Sequence, residues 1–277
     1  MRKFPQYWSG VTGGETILTA RIDSGAVARS VSPGSPGTGF QACAPDLVAH
    51  IEGTGTACLP GAVGAEWLAS VGEYAARVST GEHDVMIEGA DAAALPFLHE
   101  LSADSGLQEL MESVARFAHP AGDRTDRTFD WALRVINGPD PQRRPLWLHY
   151  DASVVTMVIP VVVPQAAPGQ SGELVLCPNR RPYRSWALTN LIEKMVVQSD
   201  SYRRRFLRRL RWDRDAEIVA VRPGDAYLFW GYRSYHATLP CAPGTSRVTV
   251  VLHYRNVHGN SRLIDRAKRV RAALRPA

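Results

Sequence analysis

The sequence predicts an α+β protein, with helices packed on one face of a β core that a helical insertion interrupts. Three observations predict it. From about residue 61 to 118, apolar residues recur near helical spacing. From 130 onward, short apolar runs end at turn residues, as strands do. Between roughly 186 and 211 a helical pattern returns before the strands resume.

In chain order, the first sixty residues are rich in Gly, Ser, Thr and Pro, and SPGSPGTG at 32–39 reads as a surface loop or a lid. AEWLASVGEYAARV (65–78) and LQELMESVARFA (107–118) carry the helical spacing. The strand candidates are WALRVIN, LWLHYDASVVTMVIPVVV and GELVLCP, then, after the insertion, AEIVAV, the turn RPGD, AYLFW and SRVTVVLHYRN. LIDRAKRVRAALR closes the chain as a short basic helix. Strands at this spacing suggest a sandwich or a barrel. The expectation is a single domain over 1–277: a loop-rich and helical part (1–129), a β core (130–256) with the insertion at about 186–211, and a C-terminal basic helix (257–277).

Composition narrows the class. Apolar residues make up 45% of the 277 and charged residues 21%, an ordinary balance for a globular protein with a substantial core. MRKFPQYWSG has no apolar run behind its charges, and VVTMVIPVVVP is half a membrane span with two prolines, so neither a signal peptide nor a membrane segment is expected. The predicted location is cytoplasmic. Cys43, Cys58, Cys177 and Cys241 are scattered without zinc spacing, which predicts free thiols. The formal net charge of +5 is unevenly spread. Residues 1–177 hold 11 Lys+Arg against 20 Asp+Glu, and residues 178–277 hold 21 against 7.

The chemistry centres on LWLHYDASVV (146–155). Side chains alternate along a strand, so His149 and Asp151 share a face with Trp147 and Ser153, while Leu148 and Tyr150 point the other way. Taken alone, such a pair is as well read as a buried ion pair. Two adjacent ligands also make two corners of a metal site, and His236 in FWGYRSYHATLP is the best third. Two histidines and one carboxylate form a facial triad that leaves positions open on iron(II). Arg247 follows in SRVTVVLHY, with Thr249 on the same strand face. An arginine facing a barrel interior calls for a bidentate anion, to which a neighbouring hydroxyl adds a hydrogen bond.

HYD at 149–151, His236, and RVT at 247–249 together resemble the 2-oxoglutarate-dependent non-haem iron(II) oxygenases. GELVLCP (172–178) and VRPGDAYLF (221–229) resemble the phrases that family sets between its metal ligands, and the likeness covers roughly 130–256. It implies a double-stranded β-helix of the jelly-roll or cupin-like kind. It also implies Fe(II) held by His149, Asp151 and His236, which are then the catalytic residues. 2-Oxoglutarate would be clamped by Arg247 with help from Thr249, and O2 would be consumed as the co-substrate is decarboxylated to succinate. Related halogenases carry a small residue where Asp151 stands, so the carboxylate argues for hydroxylation or another oxidation. The implied activity is hydroxylation of a small molecule, an anionic one included, such as an amino acid or a natural-product intermediate. Arg134 and Asn137 lie on the preceding strand, where the family places further co-substrate contacts.

Other features have plainer readings beside the functional ones. His253 shares the face of Arg247 and reads as a strand-end residue more readily than as a neighbour of the ligands. His50, His83, His99 and His119 fall in loop or helical contexts. SYRRRFLRRLRW (201–212) suits nucleic-acid backbone, yet Phe206, Leu207 and Leu210 give it the stripe of a surface helix. It could also cover the site and attract an anion. An oxygenase of nucleic acid or protein, or a non-catalytic metal-binding β-barrel, therefore stay open as alternatives.

Overall fold

The computed structural model describes residues 39–81, 83–118, 127–138, 148–183 and 216–257, with 192, 193, 195–197, 199, 201, 202 and 205. Five helices and nine strands are defined among them. The helices are α1 (Ala44–Thr54), α2 (Ala65–Val78), α3 (Ala90–Ala93), α4 (Pro96–Ala103) and α5 (Ser105–Ala118). The strands are β1 (Ala57–Leu59), β2 (Val85–Glu88), β3 (Phe129–Asn137), β4 (Ser153–Val162), β5 (Leu174–Cys177), β6 (Glu217–Val219), β7 (Ala226–Phe229), β8 (Tyr235–Thr238) and β9 (Ser246–Asn256).

They form two antiparallel sheets, one ordered β1-β7-β4-β9-β3-β2 and a smaller one ordered β6-β5-β8. β4 lies at the centre of the large sheet, and nine of its ten residues are buried because both faces are covered. On its outer face, Trp131, Leu133, Val155, Met157, Val250 and Leu252 pack against Leu47, Ile51, Val71, Leu98, Met111 and Val114 of the helices. α5 shows why it docks there: Leu107, Leu110, Met111, Val114 and Ala118 fall on one side of the helix and are all buried. Asp104 starts it, its carboxylate accepting the Leu107 N–H at 2.7 Å. The inner face of the large sheet meets the small sheet through Val158, Tyr227 and Phe229 on one side and Leu174, Leu176 and Val219 on the other.

The structure differs from the sequence reading in three places. The run 146–163 is not one strand: His149 bridges to His236 in line with the small sheet, and β4 of the large sheet begins only at Ser153. The segment changes sheets at Asp151. The N-terminal part is not purely loop and helix, since β1 and β2 form the two edges of the large sheet, and α1 lies within the Gly-rich first sixty residues. Finally, Val197 and Tyr202 of the insertion pack with Leu148, Tyr150, Tyr235 and Ala237 on the outer face of the small sheet, away from the inter-sheet space. The C-terminal basic helix, Trp147 and most of the arginine run 203–212 lie outside the described residues.

Candidate metal centre

Two short segments carry the three sequence-predicted ligands, and backbone bonds hold them together. The His149 N–H donates to the His236 carbonyl at 3.0 Å, and the His236 N–H returns the bond to His149 at 2.8 Å. In such an antiparallel pair both side chains leave the same face. The two imidazoles accordingly lie with centroids 4.2 Å apart. The Asp151 N–H donates to the Gly231 carbonyl at 3.0 Å, which turns the chain out of the small sheet and swings its carboxylate toward both rings. His149 Nε2 is 3.6 Å from Asp151 Oδ1, and His236 Nε2 is 3.4 Å from Oδ2. One donor atom from each residue lies within 4.8 Å of the other two. Donors bound at right angles to a metal about 2.1 Å away would sit about 3 Å apart, so small adjustments suffice.

Each ligand is oriented from behind. His236 is buried, and its Nδ1 faces the Ser234 carbonyl at 3.3 Å. An N–H donated there leaves the Nε2 lone pair directed at Asp151, the arrangement that metal-binding histidines use. Burial holds His236 below the usual imidazole range, so the ring is neutral at neutral pH. Burial alone would raise the Asp151 carboxyl, but the three nearby imidazoles and the Thr156 hydroxyl outweigh it, and the group stays well below the usual carboxylate range. The Thr156 O–H donates to Asp151 Oδ2 at 2.5 Å, and its oxygen lies 2.9 Å from the Ser153 hydroxyl. A neutral imidazole and an anionic carboxylate are the forms a divalent cation needs.

Gly231 makes this packing possible. A Cβ there would fall 2.2 Å from Thr156 Oγ1 and 2.6 Å from Ser153 Oγ. Any other residue would displace the hydroxyls that orient Asp151.

β9 brings in the remaining predicted residues. Arg247, Thr249, Val251 and His253 share its inner face. His253 pairs with Thr156 across β4 and places Nδ1 3.5 Å from Asp151 Oδ2, so it is a neighbour of the ligands and not a mere strand end. Arg247 and Thr249 are each 2% exposed. Arg247 Nη1 donates to Thr238 Oγ1 at 3.5 Å. The Thr249 hydroxyl has no hydrogen-bond partner among the described residues. Gly172, at φ +71°, leaves room for the guanidinium stem, since a Cβ there would lie 2.5 Å from Arg247 Cδ. Arg134 stands opposite Thr249 on β3, and its charge is among those that disfavour protonation of His236. Asn137 points elsewhere: it bonds Ser79, the His83 carbonyl and Ser246, bracing the end of β3.

Sequence reasoning did not find Thr156, Ser153 or Gly231, which carry no chemical signature of their own. Their roles follow from the pairing of β4 with β7 and β9.

No family model matches the chain, and no curated protein matches it in sequence. Solved structures do match. The non-haem α-ketoglutarate-dependent epimerase SnoN from nogalamycin biosynthesis superposes with a TM-score of 0.54 at 15% identity, over 77% of this chain and 83% of that one. HygX from Streptomyces hygroscopicus, with iron bound, gives 0.50 at 14% identity over 77% and 86%. A prolyl 4-hydroxylase structure from Phytophthora capsici gives 0.50 at 14% identity over 94% and 72%. In this chain two antiparallel sheets, helices on the outer face and a His-Asp-His cluster between the sheets occur together, and the chain shares the fold of these solved structures, among them an α-ketoglutarate-dependent non-haem enzyme and an iron-bound one.

Proposed function

We propose that the protein is an Fe(II)- and 2-oxoglutarate-dependent oxygenase that hydroxylates a small molecule, with the whole chain as one domain and the two sheets as its double-stranded β-helix. One observation carries the reading: two imidazoles and a carboxylate converge on one point inside the sheets, on the same side as a buried arginine and a buried hydroxyl that has no partner among the described residues. An ion pair needs no second histidine, and a structural arginine needs no vacant hydroxyl beside it. SnoN has been crystallised with Fe3+, α-ketoglutarate and nogalamycin RO, and HygX with nickel and 2-oxoglutarate, so related folds accept this combination of metal, dicarboxylate and small molecule.

His149, Asp151 and His236 would hold the iron, and Arg247 with Thr249 would hold the far carboxylate of 2-oxoglutarate. When bound with dioxygen, iron and 2-oxoglutarate supply the oxidising power for hydroxylation, releasing succinate and CO2. The chain's own residues do the rest. The Ser234 carbonyl keeps the His236 proton on Nδ1, and the Thr156 hydroxyl fixes which lone pairs of Asp151 face inward. Phe229, whose ring centroid is 4.9 Å from that of His236, and the buried Leu176 keep water from that side. Arg134 and Arg247 give this face of the interior a positive character suited to a dicarboxylate and to an anionic substrate.

The test is anaerobic addition of iron(II) and 2-oxoglutarate to the apo-protein. A weak visible metal-to-ligand charge-transfer band is expected in the wild type and is lost in His236→Ala. No band in the wild type at saturating iron and 2-oxoglutarate would overturn the reading. Succinate formation without added substrate separates a working enzyme from a binding protein that merely holds metal.

A further inference from the structure

Arg181 is 1% exposed, a rare environment for a guanidinium, and it sits immediately behind the metal centre. Its Cζ lies 3.5 Å from the centroid of Tyr150 and 4.4 Å from that of Tyr232, so the cation sits in the corner between two aromatic rings set at 75° to each other. Nη1 donates to the Tyr232 carbonyl at 2.6 Å, and the Arg181 N–H donates to the Arg233 carbonyl at 2.9 Å. Nη2 donates to Glu193 Oε2 at 2.8 Å, which supplies the compensating charge from the insertion. Tyr183 also stacks on Tyr232, at 5.5 Å between centroids and with only 7° between the ring planes.

The sequence positions of these partners give the cluster its meaning. Tyr150 stands between His149 and Asp151. Tyr232 follows Gly231, whose carbonyl receives the Asp151 N–H, and Tyr235 precedes His236. The Tyr150 ring also meets Tyr232 at 6.1 Å and Tyr235 at 5.9 Å, both edge to face. All three ligands therefore ride on two segments whose reverse faces meet at Arg181.

We propose that Arg181 is a positioning residue for the metal ligands, holding segments 149–151 and 231–236 at a fixed spacing through its cation–π contacts with Tyr150 and Tyr232 and its bond to the Tyr232 carbonyl. A buried ion pair kept for stability alone is poorly explained, because an apolar side chain of similar volume would do as well without the cost of desolvating a charge. What an apolar chain lacks is the forked cation that lies against two rings and grips a carbonyl and a carboxylate at once. The inference rests on the metal reading of the triad. Since a displacement of about 1 Å at a ligand is enough to spoil a site, the loss should appear in metal binding before it appears in folding.

Cobalt(II) serves as the probe, with affinity from calorimetric titration and coordination from the visible spectrum of the complex. Arg181→Lys keeps the charge but not the plane, and Glu193→Gln keeps an acceptor for the guanidinium but not the charge. Leu101→Ala, in the helical layer, is the control that loses folding stability at a distance from the site. At a temperature well below every unfolding midpoint, Arg181→Lys should bind cobalt at least tenfold more weakly and with an altered spectrum. Glu193→Gln should lose several-fold, and Leu101→Ala should bind as the wild type does. Wild-type affinity and spectrum in Arg181→Lys would overturn the inference, as would an equal loss in Leu101→Ala. Should Arg181→Lys fail to fold, Glu193→Gln decides alone: weaker binding supports the role and unchanged binding overturns it. A wild type that binds no cobalt would instead sink the metal reading itself.

Discussion

The space between the two sheets has two unlike halves. Where β7 and β4 face β5 and β6, it is filled by Val158, Tyr227, Phe229, Leu174, Leu176 and Val219, in contact and almost fully buried. Where β9 and β3 face β8 and the segment around His149, the inner positions carry Arg247, Thr249, His253, Arg134, His236 and Thr238 beside Val251, Ala132 and Ile136. The backbone pairing is of one kind in both. The difference lies in what the inward positions carry. The first half closes the fold, and the second accepts desolvated polar groups that the fold alone would not require. Stability and chemistry are thereby assigned to neighbouring parts of one interior, and substitutions can separate them.

The largest effect is expected in the apolar half. Leu174→Ala should cost about 3 kcal/mol of folding stability through lost burial and the remaining cavity. Iron(II) affinity of the folded fraction should stay as in the wild type, which chemical denaturation and metal titration check together. A parallel loss of metal affinity would mean that the two halves are not separable. Arg247→Ala tests the other half. Losing charge-assisted hydrogen bonds to a carboxylate should weaken 2-oxoglutarate binding by about 2 kcal/mol, roughly 30-fold, with iron binding spared. Unchanged co-substrate affinity would remove Arg247 from its role.

The smallest effect is the most pointed. Thr249→Val removes a buried hydroxyl that has no partner among the described residues, so folding stability should hold or rise slightly. 2-Oxoglutarate affinity should fall by about 1 kcal/mol, some fivefold. Titration of co-substrate beside thermal unfolding reads both signs. A variant that lost stability and kept its affinity would put Thr249 among the structural residues.

How far the sequence revealed all this depended on whether a signal was periodic, chemical or neither. SRVTVVLHYRN is β9 residue for residue, and AEWLASVGEYAARV is α2, because long elements with one covered face repeat their pattern enough to be read. β1 and β2 have three and four residues, too few for any period, and they owe their existence to pairing with β7 and β3. His149, Asp151 and His236 stood out because ionisable groups within apolar runs demand a reason. Arg181 did not, since in CPNRRPYR it looks like any loop arginine. Its burial depends on Tyr150, Tyr232 and Glu193, which no local pattern brings to it. His253 was misjudged for the same reason, its nearness to Asp151 being fixed by the register of β4 against β9.

The reciprocal backbone bonds between His149 and His236 join two points far apart in the sequence, with β4 to β7 and the whole insertion strung between them. A cation held by those two side chains would act as a staple across that long loop. Its effect on the unfolded chain grows with the logarithm of the loop length, while the folded chain already has its ends together and gives up little. Metal loading would thus set how much of the central chain survives heating as a unit, and the bound and metal-free protein would differ in resistance to unfolding even where no reaction is under way.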